Sequence, residues 1–297
     1  MSSDPCAPRP EAGSDLSRTA PLVDLSGPSE GSDPVRCRSG EDTAPVATCA
    51  IAVMAKASTP GRCKTRLSPP LTPEEAAGLN TAFLRDIADN LISASAHANI
   101  APVMAFAPAG SAGFFREILS TRIDLLETVA PSFGACLRFA AASLLDAGHA
   151  AVCLLNSDSP TLPAAYLMAA ATALAAPGDR IVLGPSTDGG YYLVGLKHPH
   201  RRLFEDIDWS TEKVAAQTLE RARELSLPVH LLPSWYDVDD LAALRLLVGE
   251  VLHGRRFRVW GSTPTPAKWT RRELTQLIAE ADLAARLAAA APESRVA

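Results

Sequence analysis

Four charged segments contain the residue types that could do chemistry in this chain. They are the basic loop 56–67, the turn at Asp158, the turn at Asp188 and the acidic run 237–240. Lysine and arginine side chains bind phosphate oxygens, and a glycine beside them lets backbone N–H groups approach the same oxygens. Aspartate oxygens are ligands for hard divalent cations. Taken together, the four segments predict a site for a diphosphate group bound to Mg²⁺ or Mn²⁺.

Each segment taken alone also has a simpler structural explanation. A single basic loop is most often a solvated surface loop. Asp158 could cap the helix that begins near Pro163, and Asp239 or Asp240 could cap the helix that begins at Leu241. The pair Gly189-Gly190 fits a hairpin turn that needs positive φ, or a backbone that approaches a ligand closely. Only the combination of the four segments favours the functional interpretation.

Alternating apolar runs and helical patterns predict how these segments are positioned. The predicted strands are 48–54, 102–107, 123–129, 150–155, 181–183, 191–196 and 229–232. The predicted helices are 72–95, 113–119, 133–146, 163–176, 212–225 and 241–252. This alternation is typical of an α/β protein with a parallel sheet between two layers of helices. Ligands of such sheets bind at the carboxyl ends of the strands, where the four charged segments are expected.

The composition divides the chain into four parts. Residues 1–46 are rich in Pro, Ser and Gly and are predicted to be a disordered extension. Residues 47–253 form one predicted domain, and 254–269 are a predicted linker. Residues 270–297 contain an amphipathic helix and a tail. This helix could pack on the domain, mediate a homodimer or extend freely.

Charge and hydropathy exclude several classes of partner. The formal net charge of −5 argues against a general binder of nucleic acid or of anionic membranes. No apolar run approaches the roughly 20 residues that span a bilayer. The six cysteines are scattered without a C-x-x-C pair, which favours reduced thiols. We therefore expect a cytoplasmic protein without nucleic-acid or membrane partners.

Several of the motifs resemble a family of bacterial glycosyltransferase-A-like transferases associated with radical-SAM and selenodomain proteins. Residues 56–67 resemble its K-x-x-x-P-G-x-x-K-T-R-L loop, and residues 184–196 resemble its G-P-x-x-D-G-G-Y-Y-L-x-G-L turn. Residues 156–160, 207–211 and 237–239 resemble three further motifs of the family. The resemblance implies a nucleotide-diphospho-sugar transferase fold, a Rossmann-like sandwich with a mostly parallel central sheet. It also implies a distant similarity to 2-phospholactate guanylyltransferase.

The resemblance further implies a role for each matched residue. Lys56, Lys64 and Arg66 would hold the donor phosphates and stabilise charge on the leaving group. Asp158 would bind the divalent ion, with Asp237 and Asp239 as further ligands or as partners through water. Asp188 would position an acceptor or sugar hydroxyl or act as general base. The remaining positions implied to bind substrate are Gly61, Thr65, Thr187, Gly189, Gly190, Trp209, Ser210 and Thr211. Trp209 could equally be an aromatic anchor, with Ser210 or Thr211 capping the next helix.

Three functions are therefore open from the sequence. The first is a glycosyltransferase that moves a sugar from a nucleotide diphosphate to a small acceptor. The second is a guanylyltransferase-like nucleotidyltransferase that releases pyrophosphate. The basic loop suits a triphosphate as well as a diphosphate and does not separate the two. The third, a non-catalytic nucleotide-sugar-binding protein, ranks last because Lys64, Arg66 and Asp158 are all present.

Overall fold

The computed structural model describes residues 48–255, 257 and 263–290, all within the compact unit 34–297. The predicted disordered extension 1–46 lies outside the described residues, as does part of the predicted linker. Seven strands form one sheet with helices on both faces, which confirms the α/β fold with a mostly parallel sheet. The strands are β1 (Cys49–Lys56), β2 (Ile100–Ala107), β3 (Asp124–Glu127), β4 (Ala151–Leu155), β5 (Ile181–Pro185), β6 (Tyr191–Leu196) and β7 (Val229–Leu231).

The sheet order is β3-β2-β1-β4-β6-β5-β7. Strand β6 is antiparallel to both β4 and β5, whereas all other neighbouring pairs are parallel. The short turn 186–190 between β5 and β6 cannot form a crossover, so β6 must run back alongside β5. As a result, the start of β6 meets the carboxyl ends of the other strands. We call this edge of the sheet the site edge.

Among the described residues, five helices lie between strands in chain order and three follow β7, and the first six keep close to their predicted bounds. They are α1 (Pro73–Ser95), α2 (Ala112–Ile118), α3 (Phe133–Asp146), α4 (Ala164–Ala175), α5 (Val214–Glu224), α6 (Leu241–His253), α7 (Lys268–Glu280) and α8 (Leu283–Ala289). Two 3₁₀ turns, Thr65–Leu67 and Arg201–Phe204, complete the set. None of the helices described is long and apolar enough to cross a membrane. The cytoplasmic location stays a prediction.

The sheet is buried on both faces. Ile51 and Val53 of β1 are fully buried in a core that also contains residues of α1, α4 and α6, whereas Ala50 and Ala52 are buried in a second core that contains residues of α3. This alternation explains why the strands appear in the sequence as continuous apolar runs rather than as alternating patterns.

The C-terminal segment forms two helices where the sequence indicated one. The helical pattern breaks at Ala281–Asp282, where Asp282 has φ 51°. Asp86 of α1 accepts hydrogen bonds from the backbone N–H groups of Trp269 (3.0 Å) and Thr270 (2.8 Å), which lie in the first turn of α7. The segment therefore packs on the domain, one of the three arrangements that the sequence left open. A homodimer stays a prediction.

Candidate nucleotide and metal site

Lys64 connects the basic loop to two of the acidic segments. Its Nζ lies 2.5 Å from Oδ1 of Asp158 and 2.9 Å from Oδ1 of Asp239, and it donates to the carbonyl of Val238 at 2.9 Å. Only 5% of the Lys64 side chain is exposed. An ammonium group has three N–H donors, so all three are used by these contacts. The structure thus shows Lys64 as an internal counter-ion rather than as a side chain open to phosphate.

Backbone hydrogen bonds bring the acidic segments together at the site edge. The chain after β7 runs beside the end of β5: Trp235 N–H donates to Pro185 O at 3.1 Å, and Thr187 N–H donates to Trp235 O at 3.0 Å. Three residues after Trp235, Val238 N–H donates to Asp158 O at 2.9 Å. The segment 235–238 is therefore held between the Asp188 turn and the Asp158 turn.

Asp237 lies in an excess of negative charge. Burial and, after it, the charges of Asp188, Asp239 and Asp158 together raise the pKa of its carboxyl to about 7. Burial alone would lower the pKa of Lys64, but Asp158 and Asp239 outweigh it and raise that pKa above its ordinary value. Four carboxylates thus lie together while the ammonium group pairs with only two of them, and an additional cation would relieve their repulsion.

The donor set fits a hard divalent ion. It consists of carboxylate oxygens, the ligands that Mg²⁺ and Mn²⁺ prefer. The Lys64 ammonium occupies the place where Asp158 and Asp239 meet, and so stands in for such a cation. In the part of the chain that the structure describes, no three His, Cys, Asp or Glu side chains are already arranged as a metal site. Binding of a divalent ion between these carboxylates therefore requires Lys64 to move.

The capping explanation accounts for one aspartate only. Asp240 is the N-cap of α6, and its Oδ1 accepts from Ala243 N–H at 2.7 Å. Asp239 is therefore left to pair with Lys64. Asp158 does not cap α4, because Pro163 occupies the N-cap position of that helix without a side-chain cap.

The turn at Asp188 is shaped by its glycines. Oδ1 of Asp188 accepts from Gly190 N–H at 2.9 Å, and both Asp188 and Thr187 are exposed. Gly189 has φ 93°, and a Cβ there would overlap the backbone of Glu212 just before α5. Turn conformation and packing against this segment thus explain Gly189, the simpler of the two interpretations.

The rest of the basic loop is open to solvent. Lys56, Gly61, Thr65 and Arg66 are all exposed, and so is Arg62. Within the described part of the chain, none of the three exposed cations of this loop forms an ion pair. A Cβ on Gly61 would meet no atom within 4 Å, so a ligand has room beside it. The loop therefore offers unpaired positive charge next to the Lys64 centre.

The motif at 207–211 is positioned by α3. The ring of Trp209 lies 5.2 Å from that of Phe133 in an edge-on arrangement, and a Cβ on Gly134 would lie 2.9 Å from its Nε1. Ser210 is exposed with φ 65°. Thr211 Oγ1 donates to Asp208 O at 2.7 Å, which shapes the turn before α5. No contact among the described residues joins Trp209, Ser210 or Thr211 to Lys64.

Two groups at the Lys64 centre were absent from the sequence prediction. The Val238 carbonyl accepts from Lys64, and the ring of Phe83 in α1 lies 5.5 Å from Lys64 Nζ. A carbonyl contact leaves no trace in the sequence, and Phe83 fits the apolar pattern of its helix. Neither could have been assigned without the fold.

Comparisons with known proteins agree with this fold. A family model described as "Uncharacterized protein conserved in bacteria" (DUF2064) matches residues 90–211. A crystal structure from Desulfovibrio desulfuricans G20, provisionally described as a nucleotide-diphospho-sugar transferase, aligns with a TM-score of 0.65 at 26% identity over 78% of this chain and 95% of that chain. The fold is thus similar to that of a nucleotide-diphospho-sugar transferase.

More distant structures share less of the geometry. A cytidylyltransferase from Leptospira borgpetersenii aligns with a TM-score of 0.46 at 11% identity, over 83% of this chain and 99% of that chain. The Mycobacterium tuberculosis protein Rv0371c in complex with manganese aligns with a TM-score of 0.40 at 18% identity, over 68% of this chain and 98% of that chain. No curated protein matches this chain significantly.

Proposed function

We propose that this protein is a metal-dependent transferase that uses a nucleotide-activated donor. Its proposed reaction is glycosyl transfer from a nucleotide diphosphate sugar to a small acceptor. The observation that carries the proposal is the contact of Lys64 with Asp158 and Asp239, at 2.5 and 2.9 Å. It joins loops that follow β1, β4 and β7, at the edge where parallel sheets bind ligands. Similarity to the D. desulfuricans protein supports the choice of donor.

In this proposal, Asp158, Asp237 and Asp239 hold Mg²⁺ or Mn²⁺. Such an ion, when bound, would neutralise charge on the diphosphate oxygens and so make the nucleotide a better leaving group. Lys64, released from its carboxylates, is on the same loop as Arg66 and Lys56. All three side chains would bind donor phosphates, and the open space beside Gly61 and Thr65 would admit them.

Asp188 is the proposed general base. One of its oxygens accepts from Gly190 N–H, which orients the carboxylate and leaves the other oxygen open to solvent. That oxygen would take the proton of the acceptor hydroxyl as the hydroxyl oxygen bonds to the sugar carbon. The bond between this carbon and the donor phosphate breaks in the same reaction. Thr187 and the partly exposed Trp209 are proposed to line the acceptor side.

Nucleotidyl transfer is the second candidate. Three exposed cations on the basic loop, Lys56, Arg62 and Arg66, form no ion pair within the described residues. Their combined charge suits a triphosphate, from which pyrophosphate would leave, as well as a diphosphate. A nucleotide-sugar-binding protein without turnover is the third candidate.

A panel of nucleoside triphosphates and nucleotide sugars, incubated with protein and Mg²⁺ or Mn²⁺, separates these candidates. Release of nucleoside diphosphate indicates glycosyl transfer, and release of pyrophosphate indicates nucleotidyl transfer. Binding without either product indicates the third candidate.

The variant Asp158→Ala tests the site itself. We expect it to weaken metal-dependent nucleotide binding by more than about 100-fold, since even outer partners of metal sites are worth 10–100-fold. Asp146→Ala, which removes an exposed aspartate of α3, is the matched control and keeps full affinity. Unchanged affinity of a folded Asp158→Ala protein in calorimetry would contradict the proposal.

A further inference from the structure

Arg286 of α8 is bonded to the residues that connect the basic loop to α1 and to the first turn of that helix. Its Nη1 donates to Pro70 O at 2.8 Å, and its two terminal nitrogens pair with both oxygens of Glu75 at 2.8 and 2.9 Å. Pro70 lies between the fully buried Leu67 and the N-cap of α1 at Thr72. A bidentate arginine contact fixes orientation as well as distance. Arg286 therefore defines where the loop that carries Lys64 joins α1.

Thr265 is bonded in the same way to the turn that follows Asp158. Its Oγ1 donates to Leu162 O at 2.8 Å, and its N–H donates to Thr161 O at 3.0 Å. Asn90 of α1 donates to the same Leu162 carbonyl at 2.8 Å. Residues 263–290, which we call the C-terminal segment, thus contact both loops that meet at Lys64.

The C-terminal segment is itself fixed to the domain. Asp86 caps α7, and the indole Nε1 of Trp269 donates to Asp89 Oδ2 at 2.9 Å. At the far end, Arg245 of α6 donates to the carbonyls of Leu287 and Ala290, both at 2.6 Å. The two loops are therefore tied to a support that is anchored at both ends.

We propose that Arg286 and Thr265 are positioning residues for the candidate site. They hold the Lys64 loop and the Asp158 turn at the separation that a metal-bound nucleotide diphosphate requires. This inference rests on the proposed function. The alternative is that the C-terminal segment only covers apolar side chains of α1, in which case its polar contacts affect stability alone.

Affinity measurements on the full chain distinguish a positioning role from an effect on stability alone. The probe is the magnesium complex of whichever of UDP, GDP, CDP or ADP the wild-type protein binds most tightly. We expect Arg286→Ala and Thr265→Val each to raise its Kd about tenfold, and Thr265→Ser, which keeps the hydroxyl, to restore wild-type affinity. Wild-type affinity in both Arg286→Ala and Thr265→Val overturns the proposal.

Two controls separate positioning from stability. Arg271→Ala removes an exposed arginine of the same segment, and we expect it to keep the wild-type Kd. Leu144→Ala opens a cavity in the opposite core face; we expect a larger loss of Tm with an unchanged Kd. If Leu144→Ala weakens binding in proportion to its loss of Tm, the positioning role is wrong.

Hydrogen exchange on the ligand-free chain tests the contacts without any nucleotide. We expect Arg286→Ala to speed exchange in residues 57–72, and Thr265→Val to speed it in residues 156–163, with no change in Arg271→Ala. If the wild-type protein binds none of the four nucleotides, the proposed function fails. Hydrogen exchange is then the measurement that tests whether Arg286 and Thr265 position the two loops. Unchanged exchange in both loops then overturns the positioning role.

Discussion

Two groups of charged side chains in this molecule differ in three respects: the balance of positive and negative charge, the sequence separation of the paired residues, and their exposure to solvent. The first lies at the surface between the Arg201–Phe204 turn and α5. There Arg202 pairs with Glu224 at 2.7 Å and with Asp206, while Arg221 pairs with Glu224 at 2.9 Å. Two guanidinium groups face two carboxylates, all within 23 residues of chain from Arg202 to Glu224.

The second group is the site at Lys64. Four carboxylates from the loops after β4, β5 and β7 lie together there, and one ammonium group, 5% exposed, pairs with two of them. The pair between Lys64 and Asp239 joins residues that are 175 positions apart in the chain. Such a group can form only after the whole sheet is assembled.

The carboxyl pKa values move in opposite directions in the two groups. Hydrogen bonds from Arg202 lower the pKa of Asp206 and Glu224, whereas burial and three neighbouring carboxylates raise that of Asp237. A balanced exposed network is electrostatically complete and contributes little to stability. The acid-rich group is incomplete without a further cation. This difference supports the proposal that the group at Lys64, unlike the surface network, is a binding site.

Lys64→Met should have the largest effect, because it removes the cation that pairs with Asp158 and Asp239. Breaking a buried ion pair typically costs 3–5 kcal/mol, and we expect about 2 kcal/mol here because Asp158 and Asp239 are partly exposed. Donor binding should be lost as well. Chemical denaturation measures the stability, with Lys213→Met, an exposed lysine before α5, as the control. Equal stability of the two variants would make the site group no different from the surface group.

Asp237→Asn should separate stability from binding. It removes one of four mutually repelling carboxylates at nearly constant volume, so we expect a gain of about 1 kcal/mol in the free energy of unfolding at pH 8. Magnesium-dependent nucleotide binding should weaken at the same time.

Asp240→Asn is the matched control for this change. Asparagine caps helices about as well as aspartate, so α6 should be unchanged. The free energy of unfolding and magnesium-dependent nucleotide binding should therefore also be unchanged. A lower free energy of unfolding for Asp237→Asn would show that its charge is already compensated.

Arg202→Ala should have the smallest effect. Exposed ion pairs are screened by water and salt, so we expect a Tm change below about 2 °C that shrinks further with added salt. Nucleotide affinity should not change, and Arg223→Ala, which breaks another exposed pair, is the control. A large, salt-insensitive loss of Tm would mean that the surface network is structural after all.

The fold was predictable because local patterns and tertiary packing agree. Apolar runs marked β1 and β4, and the Thr72–Glu75 capping box, found in the structure, marked the start of α1. The helical pattern did not predict the break between α7 and α8, because this break depends on the backbone conformation of one residue, Asp282.

The site was less predictable because its residue types fit two kinds of contact, one with a ligand and one within the fold. The motif around Lys64 indicated phosphate binding, but its partners approach from loops far along the chain. Gly189 fitted both a ligand and a turn, and the backbone of Glu212 fills the space beside it. Only the assembled fold determines whether a ligand or another part of the chain lies beside such a residue.

The reversed direction of β6 has a consequence for how this site can change. Since the chain leaves β5 and enters β6 at the same edge, the Asp188 turn has no crossover helix to absorb inserted residues. Lengthening this turn would displace Asp188 and at the same time disturb the pairing of β5 with β6. The connection 197–200, at the opposite edge, carries no such restriction and is the place where new sequence could be grafted without disturbing the chemistry.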